Sequence, residues 1–268
     1  GWRALAASIS DVAAMGGRPL LAVVSLTVPP DLDETGVLAL YRGMRDLAAR
    51  HRVTIAGGDL SRGTALSMGV SVVGEVRPSN LKRRSGGRPG DVLAVTGPLG
   101  RSRAGLAILD GEVDRAVLPP ALVERALEAY RRPSPRVEAG RFLGASRSVR
   151  AVMDLSDGVA SDLPRLAEAS GLAAVIDAEA LPIDPACLAV AQAMRTPPER
   201  LALEGGDDLE LLVAVERRAF GYLAGRAITR LGGPLLAVGR LEEGSGVALE
   251  RNGSRAALDL AGWDAFRP

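Results

Sequence analysis

The stretch V-R-A-V-M-D-L-S-D-G-V-A-S-D-L-P-R-L-A-E-A-S-G-L-A-A-V-I-D, residues 149–177, decides the fold class. It opens on an apolar run of strand length (149–155), passes to apolar residues at helical spacing (157–170), and returns to a short strand-like run (172–177). Strand, helix and strand in that order, joined by tight Gly- and Ser-containing junctions, predict a mixed α/β unit. The pattern continues downstream with a helix at 185–194, a strand at 209–215, a helix at 216–231 and a strand-rich tail. Just upstream, D-V-L-A-V-T-G (91–97) reads as a strand and 102–110 as a helix. Pro119-Pro120 opens another helix, and the Pro133/Pro135 pair breaks the pattern.

Further upstream the grammar is similar but separate. Residues 2–15 carry apolar side chains at helical spacing, stopped by Gly16-Gly17 and Pro19. L-L-A-V-V-S-L-T-V (20–28) predicts a strand, and Asp33 is placed to cap a helix reaching about Arg50. Residues 53–57 and 65–74 read as strands flanking a turn, G-G-D-L-S-R-G. The polar segment R-P-S-N-L-K-R-R-S-G-G-R-P-G-D (77–91) is the best linker. The fold class expected is therefore α/β (α+β) in two lobes, residues 1–80 and 81–268.

Composition narrows the chemistry. Of 268 residues, 47% are hydrophobic and 24% charged, which marks a globular chain. Thirty-three basic against 32 acidic side chains leave a net charge of +1, and aromatics are only 3%; neither feature predicts a nucleic-acid or membrane partner. One cysteine, Cys187, excludes an intrachain disulfide framework and suits a reducing, cytoplasmic setting. One histidine, His51, excludes multi-histidine zinc sites. Metal chemistry in such a chain must use oxygen ligands, which points to Mg²⁺ or a similar hard cation.

Carboxylates beside glycine at element junctions carry the functional signal: Asp59 in G-G-D-L-S-R-G, Asp154 and Asp157 in M-D-L-S-D-G, Asp207 and Asp208 in G-G-D-D-L-E-L. Each alone is ordinary turn chemistry. Together they predict a cation, because paired carboxylates repel by about 4 kcal/mol at contact in an intermediate dielectric. Asp154 leaves a buried strand and is the better ligand, whereas Asp157 serves equally well as a helix N-cap. Asp11 lies in an otherwise apolar helix, either on its wet face or buried with a cationic partner. Lys82, Arg83 and Arg84 beside small residues suit phosphate. T-G-P-L-G-R-S-R-A-G-L (96–106) follows a strand and opens a helix, a possible anion site without a Walker lysine. Cys187 reads as packing and His51 as a surface residue.

The ordered set S-D-V-A-A-M-G, G-G-D-x-S-R-G, R-R-S-G-G-R-P-G-D, T-G-x-L-G-x-S-x-A-G-L, M-D-L-S-D-G, G-G-D-D-x-E-L and G-W-D-A-F resembles thiamine-monophosphate kinase, of the aminoimidazole ribonucleotide synthetase superfamily. The resemblance implies a two-lobed synthetase-like fold. It also implies a homodimer that transfers the γ-phosphoryl of ATP to thiamine monophosphate with several Mg²⁺ ions. It makes Asp11, Asp59, Asp154 and Asp157 the Mg²⁺ ligands, places Arg84, Ser156, Gly58 and His51 at the nucleotide, and gives Asp207 and Trp263 to thiamine phosphate. His51 stands where a tyrosine is usual, Asp207 where a glutamate is, and Leu209 where a tyrosine is. The family's N-terminal segment, with a D-D-A-A-like motif, is expected to be missing, which leaves the first lobe incomplete. Two other readings remain: a non-catalytic nucleotide-binding or oligomerising relative, and an ATP-dependent enzyme of the superfamily acting on another small acceptor.

Overall fold

The computed structural model describes residues 1–260 and Gly262. α1 (Trp2–Ala14) buries Leu5, Ile9 and Ala13 along one stripe. β1 (Arg18–Val28) alternates, with Ala22, Val24 and Leu26 buried and Val23 and Ser25 exposed, so one face meets helices and the other is open. Asp33 caps α2 (Glu34–His51) as the sequence predicts, accepting the Gly36 N–H at 2.8 Å. β1 is the centre of a three-stranded sheet, order β2-β1-β3, with β2 (Thr54–Arg62) parallel and β3 (Ser67–Glu75) antiparallel to it.

The G-G-D-L-S-R-G turn is the first correction. β2 runs straight through it, pairing Gly58, Asp59 and Leu60 with Val24, Ser25 and Leu26. Gly58 has φ 154, and a Cβ there would stand 1.8 Å from the Val24 carbonyl oxygen. The glycine thus admits close approach to β1, and Asp59 lies on a strand instead of a loop.

The second sheet has seven strands in the order β10-β9-β6-β8-β4-β7-β5. They are β4 (Val92–Val95), β5 (Val149–Asp154), β6 (Ala173–Asp177), β7 (Leu211–Val215), β8 (Leu236–Glu242), β9 (Val247–Arg251) and β10 (Ser254–Ala257). Among the described strands of this sheet, only β6 and β9 pair in parallel. Five helices cover one face: α3 (Arg101–Leu109), α4 (Pro120–Arg131), α6 (Val159–Ala169), α7 (Pro185–Ala193) and α8 (Pro198–Glu204). On the other face lie α5 (Val137–Gly144) and α9 (Arg217–Leu231). β7 shows why its run is apolar at every position. Leu212 and Ala214 enter the first of these cores, and Leu211, Val213 and Val215 enter the second. Each such leucine contributes about 1.5–3 kcal/mol on burial.

α5 and α8 are helices that the sequence reading did not anticipate. The prolines taken as breakers stand outside α5, and in α8 Pro198 occupies the first turn, where its missing N–H costs nothing. The segment 77–91 is fastened, not free. The Lys82 N–H donates to Met15 O, Val152 N–H to Arg83 O, and Gly90 N–H to Leu241 O, at 3.2, 3.0 and 2.8 Å. Leu209 and Val137, both from the second half, complete the first-lobe core around Leu5, Ile9 and Leu26. α1 also lies hard against α5, where a Cβ on Gly140 would sit 2.0 Å from Ala13 O. Among the described residues, no helix is long and apolar enough to cross a membrane.

Candidate active site

β5 ends at Asp154, and the loop after it lies beside the chain leading into β7. Leu155 N–H donates to Glu210 O (2.8 Å), Leu209 N–H to Leu155 O (3.0 Å) and Asp207 N–H to Ser156 O (2.9 Å). Asp207 and Leu209 adopt left-handed φ of 60 and 51 to make this ladder. Non-glycine residues hold that conformation only when their surroundings impose it. M-D-L-S-D-G and G-G-D-D-L-E-L thereby form one seam.

Two cavities open from the seam, and Ser156 lines both. The first, about 540 Å³, is walled by Asp11, Arg83, Arg84, Ser85, Asp154 and Arg165. Asp11 and Asp154 make no ion pair among the described residues. Burial, and then the charge of Asp11, push the Asp154 carboxyl up from 3.8 to about 6. Asp11 lies on the exposed face of α1 at the mouth of this cavity, where partial desolvation raises its pKa and Arg84 pulls the other way. The Ser10 hydroxyl, fully buried on the same helix, lies beside the Asp154 carboxylate and pulls its pKa the other way. Two carboxylates that make no salt bridge among the described residues, beside a buried hydroxyl, form an all-oxygen donor set that fits a hard divalent ion. No group of three or more carboxylate, His or Cys side chains is preassembled among the described residues. A divalent ion held there would draw further ligands from phosphate and water oxygens, the usual manner for Mg²⁺.

The second cavity, about 630 Å³, is lined by Arg3, Ser102, Arg103, Tyr130, Asp157, Glu204 and Asp207 among others. Arg3 pairs with Asp207 and lies 4.0 Å over the Tyr130 ring. Arg3 Nε, Ser102 Oγ and Arg103 Nη1 are buried without a hydrogen-bond partner. The three residues that carry these atoms line one cavity, whose donors suit a ligand that accepts hydrogen bonds. These residues were missed from the sequence, although Ser102 and Arg103 lie within the quoted 96–106 motif.

Other expected residues fall elsewhere. Asp157 does not cap a helix, because Gly158 holds that position; its carboxylate pairs with Arg165 at 2.5 Å. Asp59 is exposed on β2, outside both cavities. His51 lines a third cavity of about 580 Å³ with Arg136, Glu138 and Phe142, and burial lowers its pKa. Lys82 also lines the first cavity but is largely buried, its ammonium donating to Ser146 O (2.7 Å) and Val149 O (2.8 Å), which leaves Arg83 and Arg84 as the basic groups free to meet a phosphate there. The anion site at the start of α3 is already filled: Asp208 accepts from Gly100 N–H (2.5 Å) and Ser102 N–H (3.0 Å). Leu209 is fully buried and touches neither cavity. Cys187 is packing, its thiol pushed up to about 12 by burial. Trp263 lies outside the described residues.

Residues 1–76 match the family AIR synthase related protein, N-terminal domain, and residues 88–228 its C-terminal domain. Over 99% of its length the chain is 36% identical to thiamine-monophosphate kinase of Escherichia coli K12, spanning 79% of that protein. With the Bacillus subtilis thiamine-monophosphate kinase it shares 34% identity over its full length and 81% of the relative. The chain belongs to the thiamine-monophosphate kinase family. It is accordingly a phosphotransferase of the two-lobed α/β type. A solved structure described as AaThiL complexed with AMPPCP and TMP superimposes with a TM-score of 0.86 at 30% identity, covering 99% of this chain and 79% of that one. Escherichia coli HypE, a hydrogenase maturation protein, shares the fold at 22% identity with a TM-score of 0.80.

Proposed function

We propose that the chain transfers the γ-phosphoryl group of ATP to the phosphate of thiamine monophosphate, releasing ADP and thiamine diphosphate. The observation that carries this reading is Ser156 on the wall shared by the two cavities. One cavity offers Arg83, Arg84 and two carboxylates that make no salt bridge among the described residues, suited to a metal–triphosphate. The other offers Asp207 and three orphan polar atoms, suited to a small phosphorylated acceptor. Two phosphorylated ligands meeting at Ser156 place the acceptor oxygen opposite the bond that breaks. The bond between the γ-phosphorus and the β–γ bridging oxygen breaks as the acceptor phosphate oxygen bonds to phosphorus, in line. That acceptor oxygen is already ionised near neutral pH, so no general base is required.

Asp11 and Asp154 are the proposed Mg²⁺ ligands, with Asp157 contributing once Arg165 releases it and Asp59 offering a further carboxylate from β2. Mg²⁺ supplies charge neutralisation of the triphosphate. Arg84 and the Ser156 hydroxyl hold nucleotide phosphates; Gly58 and His51, which line neither of these two cavities, are proposed as nucleotide contacts beyond them. Asp207, with Trp263, orients the thiamine moiety. We take 1–80 and 81–268 as the two lobes and the cytoplasm as the setting. The open face of the first sheet, with Val23 and Val73 exposed, is the proposed homodimer contact.

The test is calorimetry and turnover on the chain with ATP, Mg²⁺ and thiamine monophosphate. Appearance of thiamine diphosphate with loss of ATP supports the reading. Failure to bind either ligand removes it, and binding of nucleotide without the thiamine ester redirects it to another acceptor.

A further inference from the structure

From the geometry of the M-D-L-S-D-G loop we infer that Asp162 is the positioning residue of the candidate metal site, a role that rests on the reading above and deepens it. Asp162 lies in the first turn of α6 and is fully buried. One carboxylate oxygen, Oδ2, accepts the backbone N–H groups of both Ser156 (3.1 Å) and Asp157 (3.0 Å). The other, Oδ1, accepts from Arg165 Nη1 at 2.9 Å. Across the loop, Ser156 O is held by Asp207 N–H at 2.9 Å. The peptide that carries the Ser156 hydroxyl is therefore clamped from both sides, and only the Asp162 side is a side-chain choice.

That choice is specific. All three partners of Asp162 are donors, so the site calls for an acceptor on both oxygens. Asparagine has one acceptor oxygen, and its amide would face either Arg165 or the paired backbone N–H groups, donor against donor. Alanine leaves both backbone donors buried and unpaired. Among the described residues nothing else bonds these two N–H groups, and without them the orientation of Ser156 and Asp157 relative to Asp154 is not defined. Arg165 ties the clamp to the chemistry, because the same guanidinium also holds Asp157 and lines the first cavity.

The test uses the full chain carrying Asp162→Asn, with Asp162→Ala and Asp154→Asn beside it. Amide hydrogen exchange is read first. Exchange at Ser156 and Asp157 should accelerate by about ten-fold or more in D162N, while the Asp207 amide is unchanged. Mn²⁺ binding, followed by the spin resonance of the free ion, should weaken by about ten-fold, as for loss of an outer-shell carboxylate. Thermal unfolding is measured in parallel. A lowered melting temperature with wild-type exchange at both amides and wild-type Mn²⁺ affinity would make Asp162 an ordinary helix-turn stabiliser and overturn the proposal. If D154N leaves Mn²⁺ binding untouched, the metal-site reading fails instead, and the exchange result still decides the clamp.

Discussion

The backbone N–H of Asp207 donates to the carbonyl of Ser156 over 2.9 Å, and this one bond ties the two cavities together. Asp207 faces the cavity of orphan donors, while Ser156 borders the cavity of Asp11 and Asp154 as well. A shift of either loop therefore moves both cavities at once, which is what group transfer between two bound molecules would require.

Asp207→Asn tests the acceptor side. The Asp207–Arg3 pair is 30% and 41% exposed, so its loss should cost less than about 1 kcal/mol of stability. Its effect should instead fall on recognition. KM for thiamine monophosphate is expected to rise by about ten-fold, the loss of roughly one charge-assisted contact, with KM for ATP little changed. Steady-state kinetics with each substrate varied in turn checks this, and equal rises in both constants would disprove a selective role.

Asp154→Asn tests the metal side through stability. A rise of the Asp154 carboxyl from 3.8 to about 6 corresponds to about 3 kcal/mol against the ionised form. At pH 7.5 without metal, the variant should therefore melt at or above the wild-type temperature. Mg²⁺ at about a hundred times its dissociation constant should stabilise the wild type by about 2.7 kcal/mol. That gain should largely vanish in the variant. Calorimetric melts with and without Mg²⁺ decide the matter, and an undiminished Mg²⁺ shift would remove Asp154 from the ligand set.

Much of this was legible in the sequence, for identifiable reasons. The strands and long helices follow from apolar periodicity, and Asp154 stood out because a buried strand has no structural use for a carboxylate. What the sequence hid was pairing at a distance. G-G-D-L-S-R-G has turn composition, but β1 supplies it with ladder partners and keeps it a strand. Lys82 looked like a phosphate contact until the Ser146 and Val149 carbonyls were seen to hold it. Arg3 and Tyr130 were silent because nothing local links α1 to α4; only folding stacks them at 4.0 Å.

Gly140→Ala tests how the lobes are held. The added methyl would stand 2.0 Å from Ala13 O, a backbone atom that cannot yield without moving α1. Overpacking of this kind costs about 1–3 kcal/mol. Because α1 also carries Arg3 and Asp11, activity should fall together with the melting temperature. A variant with wild-type stability would show that α1 and α5 are not held in this contact in solution.

Asp208→Asn tests pH dependence away from the metal ligands. Burial raises the Asp208 carboxyl from 3.8 to about 7, against the pull of the Gly100 and Ser102 N–H groups that it accepts. A carboxyl with a raised folded pKa binds its proton more tightly in the native state than in the unfolded chain. Its contribution to stability is therefore greatest below about pH 4 and is lost as pH rises towards 7. Asparagine cannot titrate, so the variant lacks this loss. It should be most destabilised relative to wild type near pH 4, with the gap shrinking steadily towards pH 7.5. Asp154 and Asp162, raised to about 6 and about 7, slope the same way in both proteins and cancel in the difference. Urea unfolding at several pH values measures the gap directly, and a gap that stays constant or widens with pH would show that Asp208 is ionised in the native protein throughout this range.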